Sequence, residues 1–201
     1  MQRLTFVFLS LFICLTLLGN FPITQAQEKK TGEQKAQSSS WIKVAPKDAG
    51  FSVLMPSTPK EMIDSVVYGS IKVPASLYMA KMGDASFFAG RVGNFPEQLV
   101  TAGYVTGLFE NAHRVFFETK GEDGKTNTLP FTKHDISLNG YSGREYVADC
   151  GPYKKNDAPC NNTIRVYKVG DNLFIVGMSG TKSILSVELT EKFFSSFTLT
   201  Q

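Results

Sequence analysis

The apolar positions of this chain fall into three successive patterns. The first is a block: Leu4 to Leu18 runs without a charged residue, about 15 positions in all. That is short of the ~20 apolar residues needed to span a bilayer as a helix. Arg3 supplies a positive charge before it, and Gly19-Asn20-Phe21-Pro22 breaks any helix after it. Thr24 and Ala26 then give the small-x-small pattern behind which a signal peptidase cuts. Residues 1–26 are therefore expected to be a secretory signal peptide. An uncut anchor would leave the remainder displayed on a membrane. Cys14 follows Ile13 inside the apolar block, where a lipidated cysteine would need a small residue before it.

The second pattern is an absence. Residues 27–40 contain one Ala and no larger apolar side chain. Such a segment cannot offset the entropy of ordering, so it is expected to be a flexible polar tether.

The third pattern begins at Trp41 and mixes two periods. Phe51, Val53 and Met55 alternate with Ser52 and Leu54, a strand ended by Pro56. Residues 63–73 and 75–81 read as two strands separated at Pro74, and 87–95 as another. From Glu97 to about Phe117 the period changes. Leu99, Ala102, Val105, Leu108, Phe109, Ala112, Val115 and Phe116 recur at spacings of three and four, one face of a long helix. Gly103 and Gly107 weaken it. A loop at 121–125 follows. Strands at 131–138 and 141–149 flank Asn139-Gly140, the strongest short hairpin signal. Strands at 164–169 and 173–179 flank Gly170-Asp171-Asn172. Leu185, Leu189, Phe193 and Phe197 then mark a C-terminal helix over 185–197. Hairpins imply antiparallel pairing. The expected fold is α+β: one domain over 41–201, an antiparallel sheet packed with a long central helix and a C-terminal helix.

The positions that carry this pattern resemble a known group. Trp41 followed by Gly50-Phe51-Ser52-Val53-Leu54-Met55-Pro56 is similar to the opening of PsbP-like domains. Tyr167-x-x-Gly170-x-x-Leu173-Phe174 and the closing Phe193-Phe194-Ser195-Ser196-Phe197 resemble the same group and related secreted bacterial proteins. The resemblance spans most of 41–201 and implies an α/β/α sandwich. It rests on core and turn residues, so it assigns no site.

Composition narrows the function classes. The chain has 21 Lys and Arg against 18 Asp and Glu. Losing Arg3 with the signal leaves 20 against 18, too balanced for a nucleic-acid footprint. No Lys/Arg run exceeds two residues, so a polybasic membrane patch is not expected. Hydrophobic residues make up 42% and include 16 Phe, enough for one core. Past the signal two cysteines remain, Cys150 and Cys160. In an oxidising compartment they are expected to join, closing a polar, turn-forming loop of about 11 residues.

Candidate chemistry is sparse. A zinc site wants four ligands, and the chain has two His, His113 and His134, and no CxxC. Neither a metal nor another cofactor is expected. No GxSxG elbow occurs, since Gly177-Met178-Ser179-Gly180 lacks the spacing, and no GxGxxG or GxxxxGK loop occurs. His134 and Asp135 are adjacent in a strand, so they point to opposite faces and make a poor dyad. Arg144 and Arg165 could lie on neighbouring strands and, with His134, make a small basic spot for an anionic ligand. The alternative for the arginines is cross-strand ion pairing. The sequence thus points to a secreted or periplasmic, non-enzymatic binding or accessory domain for an unidentified protein or small molecule. The alternative is a small hydrolase-like enzyme using His134 with a carboxylate from another strand.

Overall fold

In the computed structural model of the protein, residues 41–68, 71–101, 103–120, 124–149 and 160–200 are described. The signal segment, the tether and Cys150 with its loop lie outside them. The Cys160 side chain does too, so the expected disulfide also falls outside.

Turn chemistry organises the main sheet. Asn139 and Gly140 both take positive φ, 52° and 82°, as a two-residue type I′ turn requires. They join β8 (Phe131–Leu138) to β9 (Tyr141–Asp149) with Leu138 opposite Tyr141. Gly170, at φ 59°, turns β10 (Cys160–Val169) into β11 (Asn172–Thr181). Gly83, at φ 61°, turns β4 (Ile71–Met82) into β5 (Ala85–Val92). With β3 (Lys60–Tyr68) these form a seven-stranded antiparallel sheet in the order β3-β4-β5-β11-β10-β9-β8. A second, three-stranded sheet holds β1 (Ile42–Val44), β2 (Phe51–Met55) and β12 (Thr198–Leu199).

The expected break at Pro74 is corrected. Pro74 lies inside β4, opposite Ser65, and the β3–β4 pairing runs on to Tyr68 opposite Ile71. Proline is tolerated there because the β4–β5 ladder ends one residue away, at Ala75 opposite Val92. The Pro74 carbonyl still accepts from the Gly93 N–H at 3.1 Å, so only a donor with no ladder partner is missing.

The expected long helix is also corrected. It is three short ones: α1 (Glu97–Thr101), α2 (Tyr104–Glu110) and α3 (Ala112–Phe117). Gly103 takes a left-handed φ of 76°, which glycine adopts at little cost and a helix does not continue through. Asn111 makes the second break, at φ −115° and ψ 18°, with its backbone N–H and its Nδ2 both donating to the Gly107 carbonyl. The apolar face survives the breaks, since Leu99, Val105, Phe109, Ala112 and Phe117 are all buried. After α3 a short ribbon, β6 (Glu118–Lys120) with β7 (Thr126–Thr128), extends the chain.

The C-terminal helix is present but shorter than 185–197. It is α4 (Val187–Ser195). Ser186 caps it by accepting from the Leu189 N–H at 3.2 Å. It ends because Ser196 turns the chain: its Oγ donates to the Phe193 carbonyl and accepts from the Leu54 N–H. Thr198 and Leu199 then pair with β2.

Two cores result, one on each face of the large sheet. Strand alternation sends Phe87, Ala89, Phe174, Val176 and Met178 toward the small sheet and α4. It sends Phe88, Leu173, Ile164 and Val166 toward α1–α3. Each buried large apolar side chain contributes about 1.5–3 kcal/mol. The fold is a mixed α/β one, mostly antiparallel sheet, with four short helices among the described residues. None of these helices is long and apolar enough to cross a membrane.

Candidate ligand-binding site

The expected arginine pair does lie on neighbouring strands, but its members do not converge. Val166 stands opposite Arg144, and Glu145 opposite Arg165, so the two arginines are one position out of phase and face opposite sides. Arg144 lies under α2, its guanidinium 4.9 Å from the Phe109 ring centre. It donates to Glu110, and to Asp135 at 3.3 Å, and its side chain is 15% exposed. The Glu110 hydrogen bond raises its affinity for its proton still further. Arg165 lies on the other face, 4.3 Å over Phe194 of α4, and donates to Glu145 at 2.7 Å. His134 is exposed and stands opposite Glu145 in the register, on the Arg165 face. The carboxylate opposite it across the strand pair is thus the one Arg165 holds. These three residues form no common spot, and both arginines pair with carboxylates.

A different arginine is held in another way. Arg91 sits near the end of β5, opposite Phe174 and Ser76, and shares their face. Its Nε and Nη2 both donate to Oδ1 of Asn172, at 3.0 and 2.8 Å. Nη2 also donates to Oδ1 of Asn94, and Nη1 to the Asp48 carbonyl, each at 2.9 Å. Every acceptor is a neutral amide oxygen, and no carboxylate of a described residue pairs with it. Three loops are joined through this one guanidinium: the β1–β2 turn, the segment after β5 and the β10–β11 turn. Two of the anchoring residues, Asp48 and Asn94, take left-handed φ of 62° and 57°.

Arg91 lines two clefts. One, of about 240 Å³, is lined by Lys47, Asp48, Glu61, Ser76, Tyr78 and Asn94 among others. In it the Tyr78 hydroxyl donates to Glu61 at 3.3 Å. Burial, and then the charge and hydrogen bond of Glu61, push the Tyr78 phenol above its ordinary value. The other cleft, of about 310 Å³, is lined by Gly50, Asn139, Tyr141, Val169, Asn172, Phe174, Leu199 and Thr200. Among the described residues no cluster of three or more His, Cys, Asp or Glu could hold a metal.

Sequence reasoning did not single out Arg91. The signals it offered were faint: Gly90-Arg91-x-Gly93-Asn94 leaving a strand, and Asp171-Asn172 in a turn.

No family model matches the chain, and no curated protein matches it. Among solved structures it is similar to the solution structure of cyanobacterial PsbP (CyanoP) from Synechocystis sp. PCC 6803. The two are 12% identical, the match covers 82% of this chain and 95% of that one, and the TM-score is 0.43. That likeness gives no residue of the clefts a role.

Proposed function

We propose that this chain is an exported, non-enzymatic binding domain whose ligand site is the Arg91 end of the large sheet. The observation that carries the reading is the manner in which Arg91 is held. A guanidinium fixed by four neutral acceptor contacts keeps its full positive charge, and it keeps it at the wall of two concave spaces. A cation pre-positioned in this way meets an anionic group without reorganising. Export rests on the apolar block at 4–18 and the small-x-small pattern at Thr24 and Ala26. In that compartment Cys150 and Cys160 form the staple of the loop between β9 and β10. The hydrolase reading of His134 has less support, because Glu145, the carboxylate opposite it, is bound by Arg165.

The test is a titration of the exported protein with sodium acetate and with sodium phosphate, followed by amide NMR shifts. Sodium chloride at equal ionic strength is the reference. Saturable shifts at Asp48, Gly50, Asn94, Asn139 or Thr200 with either anion are expected. Shifts no different from those in chloride would overturn the assignment of this end as the binding site.

A further inference from the structure

Resting on that reading, we infer that the larger cleft takes a small organic monocarboxylate, its carboxylate on Arg91 and its apolar body against Phe174, Leu199 and Val169. The charge count separates the two clefts. Lys47 and Arg91 line the smaller one together with Asp48 and Glu61, so its formal charges cancel. Arg91 is the only charged side chain among the described residues lining the larger one, which give it a net charge of +1. A monoanion neutralises that charge, and a dianion overshoots it.

Donor counting points the same way. A guanidinium has five N–H donors. Nε uses one on Asn172, Nη2 uses two on Asn172 and Asn94, and Nη1 uses one on the Asp48 carbonyl. Among the described residues that leaves one Nη1 N–H. Arg91 cannot then grip any oxyanion through a two-pronged fork, which leaves phosphate, with more oxygens and more charge to satisfy, the poorer match. It offers one charged donor, and the rest must be neutral. The lining includes three residues that carry such groups, Tyr141, Asn139 and Thr200. Few donors, one charge and three apolar residues fit an amphiphilic carboxylate better than an inorganic anion. The volume of about 310 Å³ lies at the small end of ligand pockets, which restricts the body to roughly one ring or a short branched chain.

The test uses the full exported protein and three probes, phenylacetate, phenylacetamide and inorganic phosphate, read by amide NMR shifts at equal ionic strength. Phenylacetate is expected to move Gly50, Asn139, Tyr141 and Thr200 along one saturable curve at roughly millimolar concentration. Phenylacetamide, which lacks the charge, is expected to bind at least about tenfold more weakly. Tyr141→Phe and Thr200→Val leave the Arg91 contacts in place and are each expected to weaken phenylacetate about three- to tenfold. Phosphate binding without phenylacetate binding would overturn the carboxylate assignment and leave the binding reading standing. Equal binding of phenylacetate and phenylacetamide would overturn the role of charge. Silence from all three at these amides, in a protein whose spectrum remains well dispersed, would take down both the inference and the reading beneath it.

Discussion

Arg144 and Arg91 occupy the same kind of place, a strand position beside the core, and are held in different ways. Arg144 lies over Phe109 and reaches two carboxylates, Glu110 and Asp135. Arg165 repeats the arrangement on the other face with Phe194 and Glu145. In both, an aromatic ring and at least one acid flank the cation, and the acid offsets its charge. Arg91 has amide oxygens in place of acids. Dipoles fix a guanidinium in position without cancelling its charge, whereas carboxylates do both. The same residue type is thus a cross-brace in one region and a source of positive potential in the other. The acceptor, more than the arginine, decides which.

The strongest way to break this comparison is to remove the space that the Arg91 clamp needs. A Cβ on Gly93 would stand 1.9 Å from Oδ1 of Asn172 and 2.6 Å from Nε of Arg91. Both contacts are too short to survive, so Gly93→Ala must push the two side chains apart. We expect a loss of about 2–3 kcal/mol in urea unfolding, combining overpacking with broken charge-assisted hydrogen bonds. Phenylacetate binding should disappear with it. Gly103→Ala makes a useful contrast, since open space surrounds Gly103 but its φ is 76°. It should cost only about 1 kcal/mol and leave binding intact. If Gly93→Ala kept both stability and binding, the clamp would not be what holds the three loops.

The next effect is smaller and lies at the other arginine. Arg144→Met keeps a stem over Phe109 and removes the charge. Glu110 and Asp135 are 46% and 83% exposed, so the freed carboxylates return to water at little cost. The expected loss is about 1 kcal/mol, the sum of two largely solvated pairs and some packing. Phenylacetate shifts at Gly50 and Thr200 should be unchanged. A drop in binding on Arg144→Met would reverse the comparison and return the site to the region that the sequence pointed to first.

What was legible in the sequence follows from how local each signal was. The β8–β9 and β10–β11 hairpins are written in Asn139-Gly140 and Gly170-Asp171-Asn172, because a tight turn depends on a few adjacent residues. The buried face of α1–α3 is written in the spacing of Leu99, Val105, Phe109 and Ala112. The breaks in that helix were visible only as weak propensity at Gly103. Whether a glycine sits in a helix or turns left-handed depends on the sheet beneath it. Pro74 read as a strand break because its tolerance depends on where the neighbouring ladder ends. The ion-paired outcome for Arg165 needed one strand pair and was foreseeable. The Arg91 clamp needed Asp48, Asn94 and Asn172, three polar residues scattered over more than a hundred positions, and no spacing rule connects them.

The smallest effect concerns pH and again sets the Arg144 region against the rest. His113, on α3, packs against Phe131 and Tyr146, with ring centres 4.8 and 5.6 Å away. Its Nδ1 is buried and has no hydrogen-bond partner among the described residues. Burial lowers its pKa first. Glu118 opposes that, while Arg114, Lys133 and Arg144 add to it. The folded-state value is therefore below the unfolded one of about 6.5. Such a group contributes its full stability above that unfolded value and loses it as the pH falls, because protonation creates an N–H with no acceptor. The melting temperature should thus fall between about pH 7 and pH 5, by no more than about 1.4 kcal/mol of stability per pH unit for one proton. His113→Leu keeps the apolar packing and should flatten that slope. Equal slopes in the wild type and His113→Leu would mean that acid sensitivity arises elsewhere. Loss of the slope in Arg144→Met as well would mean that the fixed arginine charge, more than burial, is what keeps the imidazole neutral.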